Sequence, residues 1–408
     1  MNILLRTLPK ESNTHWRIIK VKKYDYIIVG AGLAGGILAR KLAENNKKHI
    51  LIVERRNHIA GNTFDFEDEH GIKTQKYGPH VLHTNYDEVY NFITQFCAPI
   101  EYRTKCEAII DGISTPSPFN FKTIDQFYDS EKANKLKQKL LTYYDNRPSV
   151  TVVEMLNSSD DDIRRFAEFL FEKDYKLYTA KQWNLSPDEI DPSVLKRVPI
   201  VLSYGDTYFY DKYEFMPKDG FVEMYKNIIN YPGIDVQLEV EALDHITVDE
   251  KNNVVRWDGE EVNIIYTGAI DELFSFRFGV LPYRSLYFKY ESIHTDSFQN
   301  VAIVAYPQAK GYTRITEYTK MPFQKCNGWT NAAYEFPVAY DKKSELGSEP
   351  YYPVLTEESI KTFKKYKDYA LCFKNLTLCG RLADFKYYNM DQVILRTLQV
   401  YDEMEIEK

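Results

Sequence analysis

Three glycines in the stretch GAGLAG, Gly30, Gly32 and Gly35, keep the G-x-G-x-x-G spacing that brings a backbone close to a pyrophosphate. The first permits a tight turn, the second lets the main chain approach the phosphates, and the third lets a helix pack tightly on a strand. Leu33 and Ala34 sit between them, where the opening amides and the positive dipole end of a helix would face an anion. Glu54 follows 24 residues after Gly30, at the end of a second apolar run, placed to accept hydrogen bonds from a ribose hydroxyl. Taken alone, the glycine spacing is a weak signal, and a ligand-free turn is its bland reading. A strand before it, a helix after it and the acid beyond make it strong.

Further segments discriminate between dinucleotides. After Glu54 comes RRNHIAGN, an Arg followed by a Gly-Asn turn: Arg55, Gly61 and Asn62. In FAD proteins such a loop runs beneath the ribityl chain. IIYTG, ending at Gly268, and LCGRL, carrying Gly380 and Arg381, resemble the mid-chain and late strand-plus-glycine contacts of the same proteins. Three separated elements therefore favour FAD over NAD.

The elements that must position these residues are legible in the hydrophobic pattern. YDYIIVG and KHILIVERR read as buried parallel strands, and LAGGILARKLAENN between them as the crossover helix such a pair requires. Residues 122–198 have helical spacing, best seen in DIRRFAEFLFEKDYKLY. YPGIDVQLEVEAL, VNIIYTGAI and NLTLCGRLADF read as strands returning to the first unit. Residues 281–340 alternate apolar and polar positions, as an antiparallel sheet does. DQVILRTLQVYDEMEI reads as a terminal amphipathic helix. The fold class is α/β: a discontinuous Rossmann-like FAD-binding domain (24–98, 218–275 and 350–408), an inserted helical bundle (122–198), and an antiparallel β-sheet domain (99–121, 199–217 and 276–349).

Composition narrows the function classes. The chain has 408 residues, 44% hydrophobic and 27% charged, as an ordinary globular protein does. Its net charge of −7, with no Lys/Arg stripe interleaved with aromatics, argues against nucleic acid as partner. No stretch has the apolar length of a membrane span. Five scattered cysteines without a CxxC suit reduced thiols and a cytoplasmic location. Residues 1–23 lack the features of a signal peptide and are expected to be an N-terminal extension. His80 and His83 in GPHVLH find no third ligand, so no metal is expected.

From Tyr24 to about Val400 the chain resembles the UDP-galactopyranose mutase family. The resemblance rests on YDYIIVGAGLAGG, ERRNHIAGN, KYGPHVLHTN, YTAKQW, LKRVP, YGDTYFYDKYEFMPKDGF, YRSLYF, YTRITEY, EPYYPV and GRLADFKYYNMD, in that order. It implies a redox-neutral isomerisation between the pyranose and furanose forms of a nucleotide-activated sugar. In that chemistry reduced FAD attacks the anomeric carbon through N5, the nucleoside diphosphate leaves, and the opened sugar recloses as a furanose. It further implies an external reductant such as NAD(P)H or a reductase, furanose donors for surface polysaccharide and, by analogy, a homodimer.

Residue by residue, the resemblance assigns Arg197 and Arg314 to the diphosphate, where a planar guanidinium donates bidentately. Arg197 lies 14 residues after Trp183, in the family's mobile lid, whose closure would exclude water. Tyr178 would stack on the base, with Thr179 and Trp183 on the sugar side. Tyr208, Tyr352 and Tyr387 would reach the diphosphate, and Glu335 would position the arginines. His80 and His83 would flank the isoalloxazine, His80 near N5. Met390 and Asp391 would start the last helix beside the flavin. For any one of these, an ion pair at the surface or a core tyrosine is the bland reading, which the motif match outweighs.

Departures from the family pattern bear on the sugar and the base. Asn389 replaces an expected Asp, Val304 or Ala305 an Asn, Asp174 a Phe, and Thr104-Lys105 an Asn-Arg pair. Fewer matched hydrogen bonds would change which sugar is accepted, so galactose, fucose and arabinose nucleotides all stay open. An amine-oxidase-like FAD oxidoreductase and a cofactor-free binding module like the Rab GDP dissociation inhibitors share the nucleotide fold and stand as competing readings.

Overall fold

The computed structural model describes residues 24–183 and 199–406. The expected extension over 1–23 and Arg197 lie outside the described residues.

Apolar runs such as YIIV and ILIVE lose water on both faces, as strands of a parallel sheet must. They form the centre of a five-stranded parallel sheet in the order Ile234–Leu238, Ile50–Glu54, Tyr26–Val29, Asn263–Tyr266, Leu376–Leu378. Register is set by Tyr26 opposite both Ile50 and Asn263, and Ile264 opposite Leu376. Successive side chains point to opposite faces. Ile28 and Ile52 meet Ile37, Leu38, Tyr225 and Ile394 from the helices Leu33–Asn46, Phe221–Ile229 and Met390–Ile406. Ile27, Leu51 and Ile264 meet Val255 and Trp257 of a small antiparallel meander and Tyr366 of the helix Glu357–Ala370. The sheet is thus assembled from three separated stretches of chain, a discontinuous Rossmann-like arrangement.

A second sheet has seven strands, in the order Tyr352–Pro353, Tyr283–Ile293, Thr330–Ala339, Arg314–Thr316, Ile303–Ala305, Cys106–Ile110, Ile113–Ser117. It departs from the expected antiparallel pattern at one place: Ile303–Ala305 runs parallel to Cys106–Ala108. The connection between those strands passes through the whole helical layer and is long enough for a parallel return. The edge strand Tyr352–Pro353 belongs to this sheet by pairing with Tyr283 and Arg284, although its segment was expected with the nucleotide domain.

The helical layer packs Phe119, Leu140, Met155, Ile163 and Phe166 into its own core. Its helices start where side chains satisfy the free amides: Asn120 with Thr123, Thr151 with Glu154, and Asp160 with the amides of Asp162 and Ile163. The predicted helix in DIRRFAEFLFEKDYKLY is not uniform. Asp161–Leu170 passes into a π-helical turn, Phe171–Tyr175, before Lys176–Trp183 resumes the α-helix. Such a turn re-aims the side chains that follow. No helix among the described residues is long and apolar enough to cross a membrane.

Candidate active site

The fingerprint strand ends in a turn that only glycine fits. Gly30 has φ +107°, and a Cβ there would lie 2.1 Å from Thr267 Oγ1. A Cβ on Gly35 would lie 2.0 Å from the Gly30 carbonyl oxygen, so the helix packs against the strand through bare backbone. Gly32 and Gly61 face each other so closely that a Cβ on Gly61 would come within 2.8 Å of the Gly32 Cα. Gly30, Gly32, Leu33 and Ala34 open into a cleft of about 1230 Å³, including the part open to solvent. The cleft also receives Glu54, Arg55, Gly61, Asn62, Gly268, Gly380 and Met390.

Glu54 is buried. Its carboxylate accepts from the amides of Ala31 (3.0 Å) and Arg56 (3.0 Å) and from Arg56 Nε (3.1 Å). Burial alone would raise its pKa, but the Arg56 charge and these hydrogen bonds outweigh it and hold the group below its usual range. Arg56 Nη1 reaches Asn62 Oδ1 at 3.0 Å, and Arg55 Nη2 reaches Glu349 Oε2 at 2.8 Å.

A second cavity, about 1900 Å³ with its open part, lies against the seven-stranded sheet. The two meet where adjacent residues face different sides. His80 lines the first and Pro79 the second, and Tyr351 lines the first and Tyr352 the second. At this junction the Arg381 guanidinium lies 5.0 Å from the Tyr352 ring centroid and donates to the carbonyls of Tyr351 (3.2 Å) and Tyr388 (2.9 Å). Tyr352 stacks on Tyr387 at 4.6 Å. His80 Nδ1 is 2.8 Å from the Gly78 carbonyl, which can only accept, so Nδ1 carries the proton and Nε2 is left as an acceptor. Burial, and then the Arg381 and Arg314 charges, push this imidazole down to about 4. The ring is neutral at neutral pH.

Arg314 sits in the floor of the second cavity. Its strand pairs Arg314 directly with Glu335, and the guanidinium grips that carboxylate at 2.8 Å through Nε and 2.6 Å through Nη2. Glu335 is 3% exposed and also accepts from the Thr313 hydroxyl at 3.2 Å. Tyr178, Thr179, Tyr208, Tyr352 and Tyr387 line the same space. Burial raises the Tyr178, Tyr208 and Tyr387 hydroxyls above their usual range, so they stay protonated and able to donate. The helix bearing Tyr178 is fastened at Lys181, whose ammonium reaches the carbonyls of Tyr306 (2.5 Å), Ala309 (3.0 Å) and Tyr312 (2.9 Å).

The structure therefore brings together most of the residues singled out from the sequence, in two groups that adjoin at His80. Others fall elsewhere. Gly35 is a packing glycine behind the cleft. His83 lines neither cavity: it stacks on Phe209 at 3.7 Å and bonds Asp211 at 2.9 Å. Asp391 is buried near His83 and Asp211 rather than in the cleft, with its pKa raised by burial. Asn389 is exposed at the start of the last helix, its amide capped by Gln392 at 2.9 Å, and lines neither cavity. Trp183 ends the Tyr178 helix, and Arg197 lies outside the described residues. Of the alternatives on the strand before Arg314, Ala305 and its neighbour two residues back, Ile303, face the cavity, while Val304 points into the core. Thr104 lines the cavity, but Lys105 pairs with Asp206 at the surface.

Sequence reasoning passed over Arg56, the direct partner of Glu54, because Arg55 precedes it and nothing in ERRN ranks the two. It also passed over Arg284, although YRSLYF had been noted. Arg284 lines the second cavity beside Tyr352 and donates to the Gln182 carbonyl. Among the described residues no group of three or more His, Cys, Asp or Glu is placed to hold a metal ion.

Comparison with known proteins agrees with this geometry. A family model described as UDP-galactopyranose mutase matches residues 173–387, and one described as an NAD(P)-binding Rossmann-like domain matches 28–96. The dTDP-fucopyranose mutase of Escherichia coli is 32% identical over 91% of this chain and 96% of its own. The UDP-galactopyranose mutase of Mycoplasma genitalium is 33% identical over 98% of both. A crystal structure of reduced UDP-galactopyranose mutase superposes with a TM-score of 0.69 at 17% identity, covering 95% of this chain and 94% of that one. The chain belongs to the UDP-galactopyranose mutase family of isomerases.

Proposed function

We propose that this chain is a flavin-dependent mutase that interconverts the pyranose and furanose forms of a sugar carried on a nucleoside diphosphate. The observation that carries the reading is the junction itself: a glycine-lined cleft adjoins, at His80, Arg381 and Tyr352, a cavity lined by an arginine fixed on Glu335. The first cleft fits FAD on its own chemistry. Bare backbone at Gly30, Gly32 and Gly61 lines it, a helix N-terminus faces it, and Glu54 is held ionised where a ribose hydroxyl would donate. Gly30, Gly32, Leu33 and Ala34 would hold the pyrophosphate, Glu54 the ribose, Asn62 and Gly61 the ribityl region, and Gly380, Arg381 and Met390 the flavin end. When bound and reduced, the flavin supplies the nucleophile for the anomeric carbon.

This chain's own residues do the rest. Arg314 holds the diphosphate, kept in place by Glu335, and Arg197 is its proposed second clamp. Tyr208, Tyr352 and Tyr387 donate to phosphate oxygens as charge grows on the leaving group. Tyr178 stacks on the base, with Thr179 and Trp183 bordering the sugar. Neutral His80 offers an acceptor at the junction without adding positive charge there. The same reading takes in residues 24–98, 218–275 and 350–408 as the cofactor domain, an external reductant such as NAD(P)H, a cytoplasmic homodimer, and a furanose product that serves surface polysaccharide.

The sugar follows from assay. Purified protein should carry a yellow chromophore that dithionite bleaches. The bleached enzyme should convert a pyranose to a furanose, seen by NMR, on UDP-galactose, dTDP-fucose or an arabinose nucleotide. A colourless protein, or net oxidation of substrate with peroxide release, would sink the reading.

A further inference from the structure

His80 stands where the two cavities adjoin, yet it belongs to no strand or helix. It falls in the turn between the strands Lys73–Gln75 and Leu82–Thr84. Its backbone amide and carbonyl are nevertheless both satisfied, and by one side chain. Gln75 is 3% exposed. It accepts from the His80 amide at 2.5 Å through Oε1 and donates to the His80 carbonyl at 3.1 Å through Nε2. A primary amide carries donor and acceptor on one planar group, so it meets the two polar groups of a residue as a neighbouring strand does.

The rest of the turn is shaped around this clamp. The Tyr290 hydroxyl shares its proton between the carbonyls of Gln75 (3.1 Å) and Lys76 (2.7 Å), and the Lys76 amide donates to the Phe64 carbonyl (3.0 Å). Gly78 has φ +89°, and a Cβ there would lie 3.0 Å from the Phe288 ring, so the turn is pressed against the seven-stranded sheet. The Gly78 carbonyl takes the Nδ1 proton of His80 at 2.8 Å. Peptide and ring are therefore fixed from two sides: Gln75 sets the His80 backbone, and Gly78 sets the imidazole upon it. Nε2 takes no hydrogen bond from the described residues and stays available where His80 lines the first cleft.

We infer that Gln75 is a positioning residue for the reaction: its amide holds the His80 peptide so that the imidazole keeps its proton on Nδ1 and its Nε2 acceptor at the junction of the cavities. The inference rests on the mutase reading for what that acceptor serves, and adds the group that places it. Groups that assist a reaction must be held to within about 0.5 Å, and a misplacement of about 1 Å costs about hundredfold in rate. Without Gln75 two buried backbone groups lose their partners, and the turn relaxes toward new ones. The ring then loses its register with the Gly78 carbonyl. A neutral imidazole released from that carbonyl shifts its proton toward Nε2, the tautomer that free histidine favours, and the acceptor is gone.

The test uses the full-length flavoprotein reduced with dithionite. Nitrogen NMR of the His80 ring, assigned against His80→Asn, reports the tautomer, and turnover of UDP-galactose or dTDP-fucose reports kcat and KM. Gln75→Met keeps the length of the side chain and loses both hydrogen bonds. It should lose the Nδ1–H tautomer and lower kcat about ten- to hundredfold, with KM and UDP affinity unchanged, because the diphosphate residues are untouched. Gln75→Asn carries an amide one methylene too short to reach both groups, so it should give the same result if Gln75→Met does not fold. Tyr290→Phe loosens the other end of the turn and should leave tautomer and kcat as they are. An Nδ1–H tautomer that persists in the folded Gln75 variants overturns the inference. So does an equal loss of kcat in Tyr290→Phe, or a KM that rises in step with the fall in kcat. A tautomer that follows Gln75 in a protein that converts no nucleotide-sugar leaves the placement of His80 standing and overturns the mutase reading.

Discussion

Arg314 and Glu335 make two separable statements, one about stability and one about the ligand, and substituting them in turn pulls these apart. Glu335 is 3% exposed, and among the described residues its carboxylate meets, besides Arg314, only the Thr313 side chain. Arg314→Met keeps the length of the side chain and removes the guanidinium. The carboxylate that was gripped at 2.8 and 2.6 Å is then buried without a counter-charge. Breaking one half of a buried pair costs about 3–5 kcal/mol, far more than the net worth of the pair, because the remaining charge stays desolvated. Adding Glu335→Gln removes that charge and retains a side chain that can still meet Thr313. The double variant should therefore recover most of the lost stability.

Ligand binding should not recover. A fixed guanidinium on a diphosphate contributes charge-assisted hydrogen bonds of about 1.5–3 kcal/mol, or roughly ten- to hundredfold in Kd. Both variants lose it. Urea denaturation measures the first quantity and calorimetric titration with UDP the second, on the same preparations. If the double variant is no more stable than Arg314→Met, the buried-charge account of Glu335 is wrong. If a folded double variant binds UDP as tightly as the unmodified protein does, Arg314 does not hold the diphosphate.

Gly35→Ala puts a methyl 2.0 Å from the Gly30 carbonyl oxygen, which is backbone and cannot step aside. It should lower stability by about 1–3 kcal/mol and deplete bound flavin, read as the ratio of visible to ultraviolet absorbance, and a fully loaded variant would refute the close-packing role. The His80 ring, pushed down to about 4 by burial and two arginines, should show no imidazole titration by NMR between pH 5.5 and 8. Because the unfolded histidine takes up its proton near 6.5 while the folded one resists until about 4, stability should rise with pH across that interval. His80→Asn should flatten this rise, and an NMR midpoint near 6.5 would refute the electrostatic account.

The parts of this fold that were legible in the sequence are those encoded locally. Alternation of apolar runs and helical spacing located the parallel strands, and GAGLAG with Glu54 located the first cleft, because each signal is complete within a few tens of residues. The second cavity was reached by motif resemblance rather than by pattern. Nothing local marks Arg314 and Glu335 as partners; they meet because two strands pair 21 residues apart in sequence. The weaker expectations failed to gather at the site for the same reason. His83 alternates with its neighbours on the strand Leu82–Thr84 and bonds Asp211 on a distant segment. The π turn ahead of Tyr178 shifts helical phase, so helical spacing alone does not show that Asp174 and Tyr178 share a cavity. Asn389 illustrates the limit most plainly. Its position in GRLADFKYYNMD suggested a role beside flavin and sugar, yet it stands exposed at the start of the last helix, its amide donating to the Gln392 side chain.

The junction of the two cavities has an electrostatic consequence that neither cavity shows alone. Arg314 is neutralised locally by Glu335, whereas among the described residues the Arg381 guanidinium meets two backbone carbonyls and the Tyr352 ring and pairs with no carboxylate. His80, beside both arginines, is kept from protonation by its burial first and by those charges second. The junction thus carries net positive charge that is held by rigid partners and does not change across the neutral pH range. Such a place favours negative charge arriving on whatever occupies it, and it does so without reorganisation when that charge appears. A diphosphate on one side and an electron-rich cofactor on the other would both draw on it. A third cation from a protonated histidine would strengthen that attraction but would remove the acceptor at Nε2. Keeping His80 neutral preserves the acceptor, and the fixed arginines supply the charge.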